Sequence, residues 1–252
     1  MSGHSKWATI HRQKEITDQK RGQSFTKVAN AITIAVRESG GVTDPQLNFK
    51  LRLAMEKGKE INMPRDNIER ARRRAQGKPG ESGLEEITYE GFGPGGVAIM
   101  ASCLTDNHQR TAQEIKNIFN RGGGTLAGPG SVSYQFEQAG FLAIKKPENA
   151  EEALLKIMDF PGVTDVEETS DAVEIYTLPE KIEEVKGELI SAGFALAATE
   201  LIMKPKVTVA INDKGEARKI IELVEKIDSQ DDVQKVYTNF DIPDELLQTL
   251  NV

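Results

Sequence analysis

The sequence predicts an α+β, multidomain protein with a helical N-terminal domain followed by two α/β domains, one inserted in the other. Apolar residues recur at helical spacing through residues 24–75, whereas short apolar runs alternate with helical segments from residue 84 onward. A charge boundary falls at the same place. Residues 1–78 carry 17 Lys and Arg against 8 Asp and Glu, a net of +9, and the remaining residues carry 15 against 31, a net of −16.

Three helices are expected in the N-terminal domain. The first begins with Ser24 as its N-cap, the second starts near Asp44 and Pro45, and the third opens at Pro64. A basic arm precedes them. The apolar positions that should form a small core include Val28, Ile32, Val36, Leu47, Leu51, Ile68 and Ala71.

The α/β part contains one clear repeat of element types. Residues 137–205 follow the order β-α-β-β-α-β, which is typical of a ferredoxin-like unit. A β-α-β pattern on each side completes a second such order, with strands expected at residues 131–136 and 207–211. We therefore expect two ferredoxin-like α/β domains. The predicted domains are residues 1–78, residues 84–136 plus 206–240, and residues 137–205.

Two glycine-rich segments resemble phosphate-binding loops only in part. Gly91–Gly96 fits G-x-G-x-x-G, but an apolar β-like run follows it where a nucleotide site needs a helix N-terminus. It is therefore predicted to be a tight turn between strands. Gly122–Ser131 lacks the Gly-Lys-Ser/Thr ending of a P-loop, so glycine is expected to serve the backbone there. A surface loop that touches a partner is the alternative.

Asp106, Asn107 and Arg110 mark the junction between a strand and a helix. An N-cap is the plain interpretation, and a secondary polar site is the alternative. An enzyme could use Asp106, His108 and Arg110 on a phosphorylated substrate, but no nucleophile or second base stands near them in sequence. One cysteine and three scattered histidines predict neither a metal site nor a cofactor.

The basic N-terminal domain predicts an anionic partner, because it belongs to a chain whose overall net charge is −7. Trp7 would either stack on an exposed base or anchor the arm to the helical core. The candidate nucleic-acid-binding residues are Lys6, Trp7, Lys14, Lys20, Arg21, Lys27, Lys50, Arg65, Arg72 and Arg73.

Several strings of residues also carry a family resemblance. They are Gly3-His4-Ser5-Lys6-Trp7, Lys20-Arg21 with Phe25-Thr26-Lys27, Asn62–Ala71, Tyr89-Glu90-Gly91 with Gly93–Gly96, Asp106-Asn107 with Arg110-Thr111, and Gly130-Ser131-Val132. With these strings the chain resembles the YebC/PmpR family and is similar to the mitochondrial translational activator of cytochrome oxidase. The resemblance implies three domains and a cytoplasmic, DNA-binding transcriptional regulator. For some relatives it implies a role in translation, at the ribosome.

The sequence thus favours a non-enzymatic nucleic-acid-binding regulator of gene expression. A ribosome-associated translational activator that binds RNA is the main alternative, and an enzyme or an assembly module with edge-to-edge pairing of sheets are weaker ones. His11, Gln13 and the pair His108-Gln109 stand where the family more often has basic residues. No run of 18 apolar residues exists, so no membrane partner is expected. Neither the oligomeric state nor the choice between DNA and ribosomal RNA follows from the sequence.

Overall fold

The computed structural model describes residues 21–75, 85–147, 149–169 and 172–250. Residues 21–75, here called the helical unit, form α1 (Arg21–Glu38), α2 (Phe49–Glu60) and α3 (Arg65–Ala75). α1 has already begun at Arg21, so Ser24 lies inside the helix, and the prediction that it caps the helix is wrong. The core of the unit includes Val28, Ile32, Val36, Leu51, Ile68 and Ala71.

The second helix starts later than predicted. Asp44 belongs instead to a turn, in which its carbonyl oxygen accepts hydrogen bonds from the N–H groups of Leu47 and Asn48. The helix begins at Phe49 because the Asn48 side chain supplies the cap, accepting a hydrogen bond from the N–H of Leu51 at 3.0 Å. Leu47, which was expected in the core, lies in the turn and is 79% exposed.

The α/β body is the name used here for the described residues from 85 to 250. Its strands are β1 (Glu85–Phe92), β2 (Ala98–Thr105), β3 (Thr125–Ala127), β4 (Phe136–Lys145), β5 (Val163–Glu168), β6 (Ala172–Thr177), β7 (Leu196–Pro205), β8 (Val209–Ala210), β9 (Val233–Thr238) and β10 (Phe240–Asp241). Its helices are α4 (His108–Arg121), α5 (Ala150–Met158), α6 (Ile182–Ser191), α7 (Lys214–Asp228) and α8 (Asp244–Thr249). None of the helices in the described ranges is long and apolar enough to cross a membrane.

Two four-stranded antiparallel sheets organise the body. The second sheet has the order β5-β6-β4-β7, and its elements follow the chain as β-α-β-β-α-β, which confirms the predicted ferredoxin-like unit. The first sheet has the order β3-β1-β2-β9 and carries α4 and α7. The chain is therefore an α+β protein with N-terminal helices, as predicted. The numerical domain limits remain a prediction.

The first sheet differs from the prediction in two strands. Residues 131–135 do not extend a strand, because the N–H groups of Val132 and Ser133 donate to the Glu90 carboxylate; β3 takes that place in the sheet. Of residues 207–211, only Val209 and Ala210 pair, and they pair in parallel with β10 in a separate two-stranded sheet. β1 lies inside this sheet, between β3 and β2.

The two four-stranded sheets pack against each other with their helices on the outside. Met100 and Tyr237 of the first sheet meet Phe141, Tyr176 and Ile202 of the second in a shared apolar core. The opposite faces of the sheets form two further cores with α4 and α7, and with α5 and α6. Burial of both faces makes the body a four-layer block.

The Gly91–Gly96 segment connects β1 to β2 as predicted: Gly91 still pairs in β1, and the turn itself is formed by Gly93 to Gly96. Gly95 has φ +68°, a left-handed conformation that glycine adopts without strain. A Cβ atom at Gly95 would also lie 2.6 Å from Oε1 of Glu216. Gly95 and Gly96, which both have positive φ, therefore serve a tight turn.

Candidate nucleic-acid interface

Helix α3 presents a row of arginines to solvent because its other face is buried. Ile68, Ala71 and Ala75 pack into the core of the helical unit. At about 100° per residue the remaining positions must point outward. Four arginines there are exposed: Arg65, Arg70, Arg73 and Arg74. Within the described ranges no ion pair engages Arg65, Arg73 or Arg74.

The sequence prediction included Arg73 but missed its two best-placed neighbours. Arg70, Arg73 and Arg74 lie within an arc of about 100° around the helix axis, so they can face one partner together. The Arg70 guanidinium donates to Oδ1 of Asn67, a neutral group that leaves its charge unbalanced. The helical period alone could have identified this arc.

Two other predicted contact residues of the helical unit are paired with carboxylates. Arg72 contacts Glu69 at 2.8 Å, one turn away on the same helix. Lys50 contacts Glu38 at 2.6 Å, joining the start of α2 to the end of α1. Exposed ion pairs are weak, so a phosphate could displace either partner. Both side chains nevertheless offer less net positive charge than Arg73.

Lys27 attaches the helical unit to the α/β body. Its ammonium group lies 2.9 Å from Oδ1 of Asp228 and also donates to the Asp228 carbonyl oxygen at 2.7 Å. It is only 24% exposed. Further bridges between the unit and the body are Arg52–Glu183 at 3.0 Å and Lys186–Glu56 at 2.9 Å. Lys27 thus holds two parts of the chain together and offers little charge to an external partner.

The remaining candidates lie outside what the structure describes. Lys6, Trp7, Lys14 and Lys20 fall in residues 1–20, and Arg21 is described only as the first residue of α1. Their assignment to a nucleic-acid contact stays a prediction.

Asp106, Asn107 and Arg110 form a compact network at the start of α4. Asn107 caps the helix by accepting a hydrogen bond from the N–H of Arg110 at 3.0 Å, as the plain interpretation predicted. The Arg110 guanidinium bridges Oδ1 of Asp106 at 3.0 Å and Oδ2 of Asp232 at 2.9 Å. Asp232, more than 120 residues away in the sequence, was the member that sequence reasoning missed. The Arg110 charge is thus already engaged by two carboxylates.

Asp232 ties this network to the sheet. Its Oδ2 accepts a hydrogen bond from the hydroxyl of Thr111 at 2.6 Å. Burial raises the pKa of Asp232, but the hydrogen bonds from Thr111 and Arg110 outweigh it and hold the pKa below its ordinary value. The His108 ring stacks on Tyr89 with 6.2 Å between centroids. The cluster stabilises the junction of strand and helix, and its role as a secondary polar site stays a prediction.

A buried carboxylate anchors the glycine loop, defined here as residues 128–134. Glu90 accepts hydrogen bonds from the N–H groups of Gly130 at 2.8 Å, Val132 at 2.7 Å and Ser133 at 2.9 Å. Burial raises the pKa of Glu90, but these three donors overcome it and lower the pKa below its ordinary value. No local pattern in the sequence indicates this anchor, because Glu90 precedes Gly130 by 40 residues.

The described residues contain no group of three or more His, Cys, Asp or Glu side chains placed to hold a metal ion. Cys103 is buried in the core of the first sheet. Burial raises the pKa of its thiol to about 12, which keeps it protonated and unreactive at neutral pH.

The chain is thus an α+β protein in which a small helical unit with exposed arginines precedes two stacked sheets, each covered by helices on its outer face. The chain belongs to the TACO1/YebC family. The family model described as "TACO1/YebC protein N-terminal domain" matches residues 5–78, and that described as "TACO1/YebC second and third domain" matches residues 84–240. The resemblance drawn from the sequence strings is confirmed.

Individual relatives match over almost the whole chain. A "probable transcriptional regulatory protein" of Syntrophomonas wolfei is 45% identical and covers 99% of this chain and 100% of its own length. One of Chloroflexus aurantiacus is 47% identical, covering 98% of each chain. The crystal structure of a conserved hypothetical protein from Aquifex aeolicus is 41% identical, with a TM-score of 0.82, and covers 92% of this chain and 94% of its own.

Proposed function

We propose that this protein is a non-enzymatic regulator of gene expression that binds nucleic acid through its helical unit. The observation that carries the proposal is the exposed arc of Arg70, Arg73 and Arg74 on α3. Arg65 and the basic residues of the N-terminal arm would extend the contact. Guanidinium groups pair well with phosphate oxygens, so this surface suits a polyanionic backbone.

The charge distribution supports a single docking orientation. The helical unit belongs to a segment with a net charge of +9, whereas the rest of the chain has −16. A polyanion would be attracted to the first and repelled by much of the second. The regulatory role is supported by the name that the relatives carry, "probable transcriptional regulatory protein".

Duplex DNA and structured RNA are two separate candidates for the ligand. The names of the relatives favour DNA and a transcriptional role. RNA and a translational role are favoured by the chemistry of the arginine surface on α3, because guanidinium groups suit phosphates and this arc contains no Asn or Gln for base reading. Binding to promoter fragments, compared with co-sedimentation with ribosomes at the same salt concentration, separates the two.

An enzymatic role gains no support from the polar cluster that the sequence offered for it. Arg110 is engaged by two carboxylates and the His108 ring is stacked on Tyr89. Measured turnover that disappears in His108→Ala would overturn this part of the proposal.

The arginine arc is tested by a triple substitution, Arg70→Gln with Arg73→Gln and Arg74→Gln, in the full chain. Gln has nearly the helix propensity of Arg, so α3 should persist. Binding of a labelled DNA duplex of about 20 base pairs and an RNA of about 20 nucleotides is measured by fluorescence anisotropy between roughly 50 and 200 mM salt. The salt slope should fall by roughly 2 to 3, since each lost phosphate contact removes about 0.7 to 0.9.

Two variants control for this experiment. Replacing the three arginines by lysine keeps the charge and should keep most of the slope. Replacing three exposed lysines of the body by glutamine, Lys156, Lys214 and Lys219, changes the net charge equally at a different surface. An unchanged slope in the arginine-to-glutamine variant, or an equal fall in the body variant, would refute the assignment of the contact to α3.

A further inference from the structure

We infer that the glycine loop carries a second nucleic-acid contact, in which the Tyr134 ring stacks on an unpaired base of a single-stranded segment. Lys206 and Val207, on the neighbouring segment of chain, would complete the contact. The inference rests on the proposed function, because it gives the same ligand a second point of attachment on the α/β body.

Tyr134 is an aromatic side chain that the fold leaves in solvent. It is 67% exposed, and Val207 is 68% exposed. The two residues are neighbours, since the N–H of Lys206 donates to the carbonyl oxygen of Gln135 at 2.7 Å, just beyond the paired ends of β4 and β7. Their backbones are therefore close, and the exposed Tyr134 ring by itself offers a flat surface on which the π-face of any base can stack.

Hydrogen bonds hold the chain in place on both sides of Tyr134. The three hydrogen bonds to Glu90 hold the loop immediately before the ring. Immediately after it, the Gln135 side chain accepts a hydrogen bond from Nδ2 of Asn239 at 3.1 Å. A ring on a pre-organised loop loses little conformational freedom on binding, which favours recognition.

The stretch of sequence that contains the loop is poor in acidic residues. Residues 115–136 contain no Asp or Glu over 22 positions, the longest such stretch of the chain, and they include Lys116 and Arg121. Residues 201–212, which supply the neighbouring segment, contain none either and include Lys206; the Lys204 ammonium group in this segment is already paired with Asp165 at 2.6 Å. Glu90 is buried and engaged by its three donors, whereas Glu137, at the start of β4, is exposed. A polyanion can therefore approach the acidic body here.

The loop and the helical unit lie at opposite ends of β7. Leu196 to Thr199, at its start, line a groove with residues of α2, and Pro205, at its end, adjoins Lys206. The length of the strand separates these ends by about 30 Å. One strand of nucleic acid of about ten or more stacked nucleotides could touch both, at about 3.4 Å per nucleotide.

The test uses the full chain with three labelled probes of matched length, about 20 nucleotides or base pairs: an oligo(U), an oligo(dT) and a DNA duplex. Tyr134→Ala should weaken binding of the single strands about fivefold to a hundredfold, the range typical of one lost base stack. Tyr134→Phe, which keeps the ring, should restore it. The duplex should bind unchanged, because its bases are not free to stack. Leu155→Ala removes an equally exposed apolar side chain from α5 and should change nothing.

The outcomes separate this inference from the proposed function. A loss with oligo(U) alone supports stacking on RNA, and a loss with both single strands supports stacking that does not depend on the sugar. Equal binding by Tyr134→Ala and the unchanged protein overturns the inference, as does an equal loss with the duplex or in Leu155→Ala. If the arginine triple variant binds all three probes more weakly while Tyr134→Ala binds each of them normally, the proposed function is supported and the Tyr134 contact is refuted. A loss in Tyr134→Ala with an unaffected arginine variant supports this contact and overturns the assignment of binding to α3.

Discussion

The two sheets of the α/β body are joined to each other differently from the way the helical unit is joined to the body. The sheets share a buried apolar core that includes Phe141 and Tyr176. The helical unit is attached by ion pairs such as Lys27–Asp228, with Phe49 packed against the helical side of the second sheet. Salt concentrations that screen exposed ion pairs do not weaken the burial of apolar side chains. The body should therefore behave as one block, from which the helical unit can separate.

The largest expected effect comes from breaking the core between the sheets. Phe141→Ala removes a fully buried ring, and such truncations cost about 3 to 5 kcal/mol. The free energy of unfolding of the body, measured in urea by tyrosine fluorescence, should fall by this amount and both sheets should lose stability together.

A matched truncation in the helical unit sharpens the contrast. Ile32→Ala also removes a fully buried side chain and should cost about 2 to 5 kcal/mol. Hydrogen exchange should then accelerate in α1 to α3 while β4 and β6 keep their protection. If Ile32→Ala exposes β4 as strongly as Phe141→Ala does, the two parts unfold as one and the comparison fails.

The next prediction concerns the Glu90 anchor and its dependence on pH. The folded-state pKa is lowered, so the carboxylate contributes stability above its ordinary pKa of 4.5 and loses that contribution as pH falls through the folded value. Glu90→Gln should cost about 2 kcal/mol at neutral pH, since hydrogen bonds to a charged acceptor are worth about 1.5 to 3 kcal/mol.

Acid titration of this variant provides the check. The difference in unfolding free energy between Glu90→Gln and the unchanged protein should shrink steadily below pH 4.5, because protonated Glu90 and Gln are alike in charge. A difference that stays constant throughout the acid range would show that geometry rather than charge holds the loop.

A smaller effect is confined to the helical unit. Asn48 is buried, and its Nδ2 donates to the carbonyl oxygens of Ala35 and Val42, both at 2.9 Å, while its Oδ1 caps α2. Asn48→Ala should cost about 1 to 2 kcal/mol for the lost cap and leave these acceptors unsatisfied. Hydrogen exchange of α2 should report the loss, with the body unaffected.

Sequence patterns predicted the elements with long, regular periods and missed those set by distant polar partners. The inserted sheet followed its β-α-β-β-α-β order, because alternation and helical spacing are local properties. Residues 131–135 have the pattern of a strand, but the N–H groups of Val132 and Ser133 bind the Glu90 carboxylate instead of a neighbouring strand. Asp44 looked like a cap, yet Asn48 has the better geometry because its amide also reaches α1. Such choices depend on tertiary contacts that no local window contains.

The candidate interface was predictable to a similar extent. The excess of positive charge located the helical unit, and the helical period separates the Arg70, Arg73 and Arg74 arc from Arg72, which Glu69 engages. The ion pair of Lys27 with Asp228 could not be anticipated, because 201 residues separate the two. Tyr134 had no sequence signal at all, since only the fold shows that its ring lies in solvent.

The smallest expected effect is that of the Lys27–Asp228 pair, and it tests the comparison most directly. The Lys27 ammonium group lies at the last turn of α7, where it also donates to the Asp228 carbonyl oxygen. A positive charge there interacts favourably with the negative end of the helix dipole. Lys27→Met, Asp228→Asn and the double variant form a cycle whose coupling should be about 1 kcal/mol or less at low salt.

The dependence of this coupling energy on salt shows whether the pair behaves as an exposed or a buried one. Since both side chains keep some exposure, the coupling should fall toward zero in about 1 M NaCl, and protection of α1 against hydrogen exchange should fall with it. The Phe141 core should lose nothing under the same conditions. If the coupling is unchanged at high salt, Lys27 and Asp228 are shielded from solvent as a buried pair would be. The attachment of the helical unit to the body would then be as insensitive to salt as the contact between the two sheets.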